Sequence, residues 1–309
     1  MAKTKQDPSD YIVSLNMNGL QGRMLQLPAK NPQNNREILA LYGHHALIER
    51  WWGLVQNLNE YGAVTMPDIP GFGGMDPFYK IGRKPTIDNY ADYLAAFIKM
   101  RYKRRRVTIV GISFGFVIAT RMLQRYPELA KKVDLLVSLV GFMHKDDFHF
   151  KPLNQKFYQL LAAFFSIPAI AFTIRYGFLN KPMIKALYAR LPAGKRRLFD
   201  MDPEEFKLLI DFDTALWHKN DVRTHWATTS EFLGLNNCTS RIDLQVWHVA
   251  SKTDPYFNNE VVVQHMHATF TECNEAFITT KSHTPNLIAD KKEMGVLLPP
   301  KLRRQLSKR

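Results

Sequence analysis

The segment that most constrains the fold runs from Val107 to Arg125. A short apolar run, VTIV, leads into GISFG, and a helical pattern then covers residues 116–125 and stops before a proline. The order strand, sharp turn, helix is the context in which G-x-S-x-G exposes a serine. The turn leaves no room for a bulky side chain two positions before or after that serine. The sequence therefore predicts that Ser113 lies above a sheet at the start of a helix, where it can act as a nucleophile; an ordinary structural turn is the alternative.

Other short apolar runs have the length and bounds of strands. Residues 15–27 alternate around Asn18-Gly19, a dipeptide typical of hairpin turns. Further runs cover residues 38–42, 63–66, 133–140, 244–250 and 276–280. Helical patterns separate them, as at residues 87–99, and a last helix is expected at about 285–292. This order predicts an α/β fold with a mostly parallel sheet of the eight-strand type, flanked by helices.

Strand-like runs are missing between residues 145 and 237, where five prolines divide a helical pattern into short helices. We therefore divide the chain into a core of residues 1–144 and 238–309 with a helical insertion at 145–237. Residues 157–174 contain no charged side chain, and a length of 18 uncharged residues is at the lower limit for a membrane-spanning helix. Because Pro168 lies at their centre, we expect a buried or interfacial helix pair there instead.

A nucleophilic serine needs a base, and the base needs an orienting carboxylate. Asp254 follows the predicted strand at 244–250, and His283 follows the one at 276–280, so both fall in loops at strand ends. We predict that His283 is the base and Asp254 its acid; an Asp-Pro turn and a surface histidine are the alternatives. Asp146 and Asp147, after the preceding strand, remain alternative acids.

With these residues the chain resembles the α/β-hydrolase superfamily, in its capped esterase and lipase-like branch, over residues 15–294. Besides the elbow at Ser113, DIPGFG at residues 68–73 resembles the loop after the fourth strand of that family, and LYGHH at 41–45 resembles its His-Gly oxyanion loop. The family's usual histidine before the glycine is replaced by Tyr42, which leaves open how that loop is held. The resemblance implies that the backbone N–H groups of His44 and Phe114 form the oxyanion hole.

The resemblance also implies a function. Relatives that cleave carbon–halogen bonds or epoxides have aspartate at the elbow, so serine favours hydrolysis of an ester-type bond without metal or organic cofactor. Carbon–carbon bond hydrolysis, cofactor-free peroxidase activity and a catalytically silent ligand-binding or membrane-binding protein stay open. The helical insertion corresponds to the family's cap, and we expect Phe157, Leu161 and Phe164 to contact a small apolar substrate. Packing of the cap on the core is the alternative for each of them.

The net charge of +14 is concentrated in two places. Six positive charges lie between Lys99 and Arg106 and five between Lys301 and Arg309, with no acidic residue in either stretch. Solvated surface explains both clusters; peripheral contact with an anionic membrane is the alternative, and nucleic-acid binding is not expected. The two cysteines exclude a disulfide scaffold and show no zinc-ligand spacing. No apolar signal segment is recognised near Met1, so we expect a cytoplasmic protein.

Overall fold

The computed structural model describes residues 7–31, 33–190, 202–280, 283 and 289–308. Over these residues the strands form one sheet in the order β1-β2-β4-β3-β5-β6-β7-β8. The β1/β2 and β2/β4 pairs are antiparallel, and all other pairs are parallel. The strands are β1 Ile12–Met17, β2 Leu20–Leu27, β3 Glu37–Leu41, β4 Ala63–Pro67, β5 Val107–Ile112, β6 Val133–Leu139, β7 Ile242–Ser251 and β8 Phe270–Ile278. The predicted mostly parallel eight-stranded sheet is confirmed.

Helices cover both faces of this sheet. The α-helices are α1 Trp52–Leu58, α2 Ile87–Arg101, α3 Phe114–Arg125, α4 Pro152–Phe165, α5 Pro168–Thr173, α6 Lys181–Arg190, α7 Pro203–Lys219, α8 Val222–Leu233, α9 Asn259–Thr269, α10 Lys291–Met294 and α11 Pro300–Ser307. A π-helical turn at Ile174–Phe178 continues α5. Of the helix expected at 285–292, residues 285–288 lie outside the described residues, and the described α10 begins at Lys291.

Local sequence explains most of the strand bounds. All six residues of β5 are buried, as expected for a central strand with helices on both sides. The hairpin between β1 and β2 turns at Asn18 and Gly19, with φ of 53° and 81°. β8 begins at Phe270, six residues before the apolar run that predicted it. It is the last strand of the sheet and exposes polar side chains, so an apolar run marks only its end.

Helices α4 to α8 lie between β6 and β7 in the chain, where the helical insertion was expected. Helix α4 is tied to the rest of the chain by two buried or half-buried amides. The Gln155 side chain donates to the carbonyls of Lys145 and Leu233, and Gln159 donates to the carbonyl of Ser230. One face of α4 is therefore held against α8 and the chain leading out of β6.

The two edges of the parallel strands carry different chemistry. The carboxyl ends of β5, β7 and β8 lead to Ser113, Asp254 and His283. The basic stretch 99–106 lies at the opposite edge, because it precedes β5 directly. The tail reaches the same edge, since Arg36, one residue before β3, donates to the Lys308 carbonyl. The basic stretch 99–106 and Lys308 thus lie at the end of the sheet opposite to the candidate site.

Candidate active site

The turn after β5 holds Ser113 in a strained conformation. Its φ of 49° and ψ of −115° are sterically costly for a residue with a Cβ. A Cβ on Gly111 would lie 2.6 Å from Cα of Phe116, and one on Gly115 would lie 2.3 Å from the carbonyl oxygen of Leu41. Both glycines of G-x-S-x-G are therefore sterically required here. The Ser113 N–H donates to the Leu139 carbonyl at 2.9 Å, which ties the turn to the end of β6.

Asp254 and His283 form a hydrogen-bonded pair beyond the ends of β7 and β8. Nδ1 of His283 lies 2.6 Å from Oδ2 of Asp254, whose side chain is almost fully buried. The other carboxylate oxygen, Oδ1, accepts the backbone N–H groups of Tyr256 and Phe257 at 2.9 and 3.3 Å. These two rings also contact the His283 imidazole edge-on. The carboxylate orientation is thus set by its own loop, and it sets the orientation of the imidazole.

Ser113 and His283 both line one cavity of about 740 Å³. The serine lies at the start of α3, and the helix dipole places partial positive charge beside it. The cavity wall also contains Arg50 and Asp213, but it is rich in aromatic side chains, among them Phe142, Phe148, Phe165, Trp226, Phe232 and Phe257. A serine, a carboxylate-paired histidine and an apolar cavity are thus brought together by three strand ends.

The alternative acids, Asp146 and Asp147, lie outside the cavity that contains Ser113. Asp147 is fully buried, and its carboxylate pairs with Nδ1 of His265 at 2.6 Å and accepts the backbone N–H groups of Met143 and His144. This hydrogen bond raises the pKa of His265. Asp146 is largely exposed beside His144. None of these residues lines the cavity.

The other histidines considered from the sequence also lie elsewhere. His248 is buried in β7, where its Nδ1 pairs with Ser138 Oγ at 2.9 Å, and burial lowers its pKa to about 4. His267 pairs with Glu275 on β8. His265 and His267 therefore have different partners, as their spacing of two residues on a helix requires.

The loop after β3 passes directly beside the nucleophile. A Cβ on Gly43 would lie 3.3 Å from Cβ of Ser113, so the backbone that leads to His44 runs past the serine. Phe114 is the first residue of α3, and the first N–H groups of a helix have no partner within the helix. The backbone N–H groups of His44 and Phe114 are thus on the two chain segments nearest to Ser113.

Tyr42, the departure from the family pattern, has a defined role in this loop. Its hydroxyl donates to Oδ1 of Asp68 at 3.0 Å and accepts the Ile69 N–H at 2.9 Å. Arg23 donates from the other side, to Oδ2 of Asp68 and to the Gly73 carbonyl. The Tyr42 hydroxyl thus joins the loop after β3 to the DIPGFG loop after β4, and Arg23 joins the DIPGFG loop to β2.

Three histidines cluster where these loops meet the helical insertion. The ring of His225, on α8, lies 4.6 and 4.5 Å from the rings of His44 and His45. Burial lowers the pKa of His44 to about 4 and those of His45 and His225 well below the usual value. All three are neutral near pH 7, and Nε2 of His44 pairs with Thr228 Oγ at 2.8 Å.

Helix α4 presents two different rows of side chains. Tyr158, Leu161, Ala162 and Phe165 line the cavity. Phe157 and Phe164, which the sequence analysis also placed at the substrate, are largely exposed and are not part of the cavity wall. The reason is geometric: neighbouring positions in a helix differ by about 100°, so one apolar stripe can contain an inner and an outer row.

Several cavity residues were not recognised from the sequence. Phe257 lies three residues after Asp254 in the same loop, so the position of the acid could have indicated it. Trp226 and Phe232 are on α8, where only the packing of α8 against α4 brings them to the cavity. Phe148 follows β6 and stacks on Phe232.

One further group of side chains could hold a metal ion. Within the described part of the chain, the ligand atoms of His267, Cys273 and Glu275 lie within 4.8 Å of one another. The cluster lies on α9 and β8, and none of its members lines the cavity. His267 and Glu275 are hydrogen-bonded beside the half-buried thiol of Cys273, and the site at Ser113 does not include them.

Comparison with known proteins agrees with this architecture. A family model described as alpha/beta hydrolase fold matches residues 37–269. None of the curated proteins matches the chain. Among solved structures, an esterase from Thermogutta terrifontis is 14% identical, with a TM-score of 0.64 over 96% of this chain and 98% of that one.

Two other solved structures illustrate the range of chemistry on this fold. A putative lipase from Acinetobacter baumannii is 17% identical, with a TM-score of 0.65 over 96% of this chain and 92% of that one. The N-formylmaleamic acid deformylase of Pseudomonas putida S16 is 13% identical, with a TM-score of 0.62 over 92% of this chain and 98% of that one. At such identities the likeness shows the fold and leaves the substrate of this chain open.

Proposed function

This chain belongs to the alpha/beta hydrolase fold family, and from that premise we propose that it is a serine hydrolase that cleaves an ester-type bond of a small, largely apolar substrate. The observation that carries the proposal is the convergence of Ser113 and the Asp254-paired His283 on one aromatic cavity. Such a nucleophile, base and orienting acid, each held by a different strand end, suffice for acyl transfer to water.

The reaction then follows from the hydrogen bonds. Because Nδ1–H of His283 donates to Asp254, Nε2 carries the lone pair that accepts the Ser113 proton. Oγ attacks the carbonyl carbon, and the oxyanion is bound by the N–H groups of His44 and Phe114. The imidazolium returns the proton to the leaving alkoxide, which leaves an acyl group on Ser113. Water, deprotonated by His283, attacks this acyl-enzyme; the bond from the acyl carbon to Oγ breaks, the imidazolium returns the proton to Oγ, and the acid is released.

The size and lining of the cavity support the substrate class. A volume of about 740 Å³ lies within the range of small-molecule sites, roughly 300–1,000 Å³. Its aromatic wall favours an apolar acyl or alcohol group. The histidines that border it, His44 and His45, are neutral near pH 7. The charged side chains in the described wall are Arg50 and Asp213, which have opposite signs.

Covalent labelling tests the proposal. We expect a fluorophosphonate to modify Ser113, as located by mass spectrometry, and the Ser113→Ala and His283→Ala variants to lose this labelling. His265→Ala is the matched control, because His265 also pairs with an aspartate but lies outside the cavity. Labelling of Ser113 that persists without His283 would refute the assignment of the base.

A panel of p-nitrophenyl esters of increasing acyl length then tests the bond and the substrate class. Hydrolysis that depends on Ser113 and prefers an apolar acyl group supports the proposal. Folded protein that neither reacts with the fluorophosphonate nor hydrolyses any ester would instead indicate a ligand-binding member of the family without catalysis.

A further inference from the structure

The outer side of helix α4 is an exposed apolar ridge. Leu153, Phe157, Leu160 and Phe164 follow one another at intervals of four, three and four residues, which places them on one face of the helix. All four are exposed, and Leu153 reaches 83%. Beyond α4, further apolar side chains are also exposed: Ile167 just before α5, Phe172 in α5, and Tyr176 and Phe178 in the turn after it. We name these eight residues the outer ridge.

The outer ridge is more apolar than an ordinary protein surface. Single exposed hydrophobic residues are common, but a continuous row of phenylalanine and leucine marks a surface that binds something. Packing against the chain itself does not explain it, because α4 uses its other face for the cavity and for contacts with α8. Gln155 and Gln159 anchor that inner face.

The charges around the ridge point to one kind of partner. From residue 148 to residue 190 the sequence contains six Lys or Arg and no Asp or Glu. Lys151 and Lys156 flank the start of the ridge and are exposed, and Lys181 follows it, beside Asp211 of α7. An apolar helix face with basic flanks and aromatic side chains is the composition that binds an anionic lipid surface.

Other occupants fit this surface less well. In a symmetric dimer the ridge would meet its own copy, which would bring two basic segments without acidic residues against each other. A membrane-spanning arrangement fits poorly too. No single described helix is long and apolar enough to cross a membrane. The pair Pro152–Phe165 and Pro168–Phe178 passes by length and composition, but it is bent by 81°. Straightening α4 into such a span would break the hydrogen bonds of Gln155 and Gln159.

The ridge is continuous with the mouth of the cavity. Phe150 and Tyr158 line the cavity and are 40% and 43% exposed, so they lie where it meets the surface. Tyr158 is next to Phe157 of the ridge, and their rings are 5.7 Å apart. The apolar ridge thus adjoins aromatic side chains of the cavity that also contains Ser113.

We propose that the outer ridge docks this protein on an anionic lipid bilayer, which places the cavity mouth at the lipid and makes bilayer-dissolved esters its substrates. The second half of this statement rests on the proposed function; the docking itself does not. The basic stretch 99–106 and Lys308, at the end of the described tail, lie at the far edge of the sheet. They would face away from the bilayer in this orientation.

Vesicle flotation tests the docking without any catalysis. The Ser113→Ala protein is mixed with phosphatidylcholine vesicles that contain or lack phosphatidylglycerol, so that hydrolysis plays no part. We expect flotation with the anionic vesicles, and binding weaker by about tenfold or more without the anionic lipid or at high salt. Leu153→Ser with Leu160→Ser, both outside the cavity wall, should weaken binding by at least about tenfold, because two exposed leucines no longer enter the lipid.

Two control variants make the test specific. Val13→Ser with Phe277→Ser also removes two apolar side chains, exposed by 43% and 47%, but from the edge strands β1 and β8, so we expect wild-type flotation. Lys103→Gln with Arg104→Gln removes charge from the far edge and should keep binding within about threefold. Thermal unfolding of each variant checks that it is folded.

Specific results would overturn the proposal. They are absence of flotation, flotation that survives the leucine double variant, or flotation lost only in the Lys103/Arg104 variant. A stable dimer that the leucine variant dissociates, without vesicle binding, would assign the ridge to a second copy instead. Fluorophosphonate labelling in solution is measured separately, so a failure of the proposed function and a failure of docking are distinguishable.

Discussion

Replacing Asp254 by asparagine tests the candidate triad most sharply, because the structure defines what each oxygen does. Oδ1 accepts two backbone N–H groups of its own loop, so the asparagine oxygen will keep that position. The amide NH₂ group then replaces Oδ2 and faces Nδ1 of His283 at 2.6 Å. Two donors cannot share that contact, and the imidazole will move its proton to Nε2.

In that tautomer Nε2 can no longer accept the Ser113 proton. We expect kcat to fall by about 10³- to 10⁴-fold, which corresponds to about 4–5.5 kcal/mol of transition-state stabilisation. The free energy of unfolding should change by only about 1 kcal/mol, because the asparagine keeps hydrogen bonds to the loop and to the imidazole. Steady-state hydrolysis of a short p-nitrophenyl ester measures the first quantity, and urea unfolding measures the second.

Asp147→Asn is the matched control. Asp147 is also buried and histidine-paired, and it is the alternative acid from the sequence, but it lies outside the cavity. We expect this variant to lose about 1–3 kcal/mol of stability and to keep its kcat nearly unchanged. An Asp254→Asn enzyme within tenfold of wild type, or a larger loss of kcat in Asp147→Asn, would refute the assignment.

Three further predictions concern the scaffold of the site. Gly115→Ala should cost about 1–3 kcal/mol of unfolding free energy in urea, because its Cβ would lie 2.3 Å from the Leu41 carbonyl oxygen. Gly177→Ala is the control, since no atom lies within 4 Å of a Cβ at that position, and equal effects of the two substitutions would contradict the steric argument. Tyr42→Phe removes a hydroxyl bonded to Asp68 and Ile69 and should cost about 1–3 kcal/mol of unfolding free energy. Tyr93→Phe should cost less, because its hydroxyl makes only long contacts, with the Asp68 carbonyl at 3.4 Å and with Met75 Sδ at 3.6 Å; a larger effect at Tyr93 would be inconsistent with this. Burial lowers the pKa of His44 to about 4 in the folded protein, so the stability that this neutral imidazole contributes should be complete above pH 6.5 and lost as pH falls towards 4. The melting temperature of His44→Gln should therefore fall less on acidification than that of wild type, and an unchanged dependence on acid pH would disprove the account. His265 should contribute with the opposite pH dependence, because Asp147 raises its pKa.

Most of the sheet could be predicted because its signals are local. A buried parallel strand needs a short apolar run, and β3, β4, β5 and β6 each begin within one residue of such a run. β8 was predicted only over its last part, because its first residues lie at the sheet edge and are polar. The elbow was equally local, since G-x-S-x-G between a strand and a helix specifies both the turn and the side chain that it exposes.

The orientation of side chains on the helical insertion could not be predicted from local sequence. The stripe on α4 is apolar on two adjacent rows, and periodicity does not say which row meets the cavity and which meets solvent. The packing of α4 on α8 decides this, and it turns Phe157 and Phe164 outward while Leu161 faces the cavity. The role of Tyr42 likewise depends on Asp68, twenty-six residues further along the chain.

The sequence by itself thus determined the order of strands and helices and which residue types stand at the strand ends, because neighbouring residues and their periodicity control both. Only the tertiary structure decided which of these ends share a cavity, which carboxylate pairs with which histidine, and which face of α4 is left exposed. These are contacts between residues far apart in the chain, and they depend on how whole elements pack. The candidate site is therefore the product of both: a serine turn specified locally, completed by Asp254 and His283 that the parallel sheet brings to the same edge.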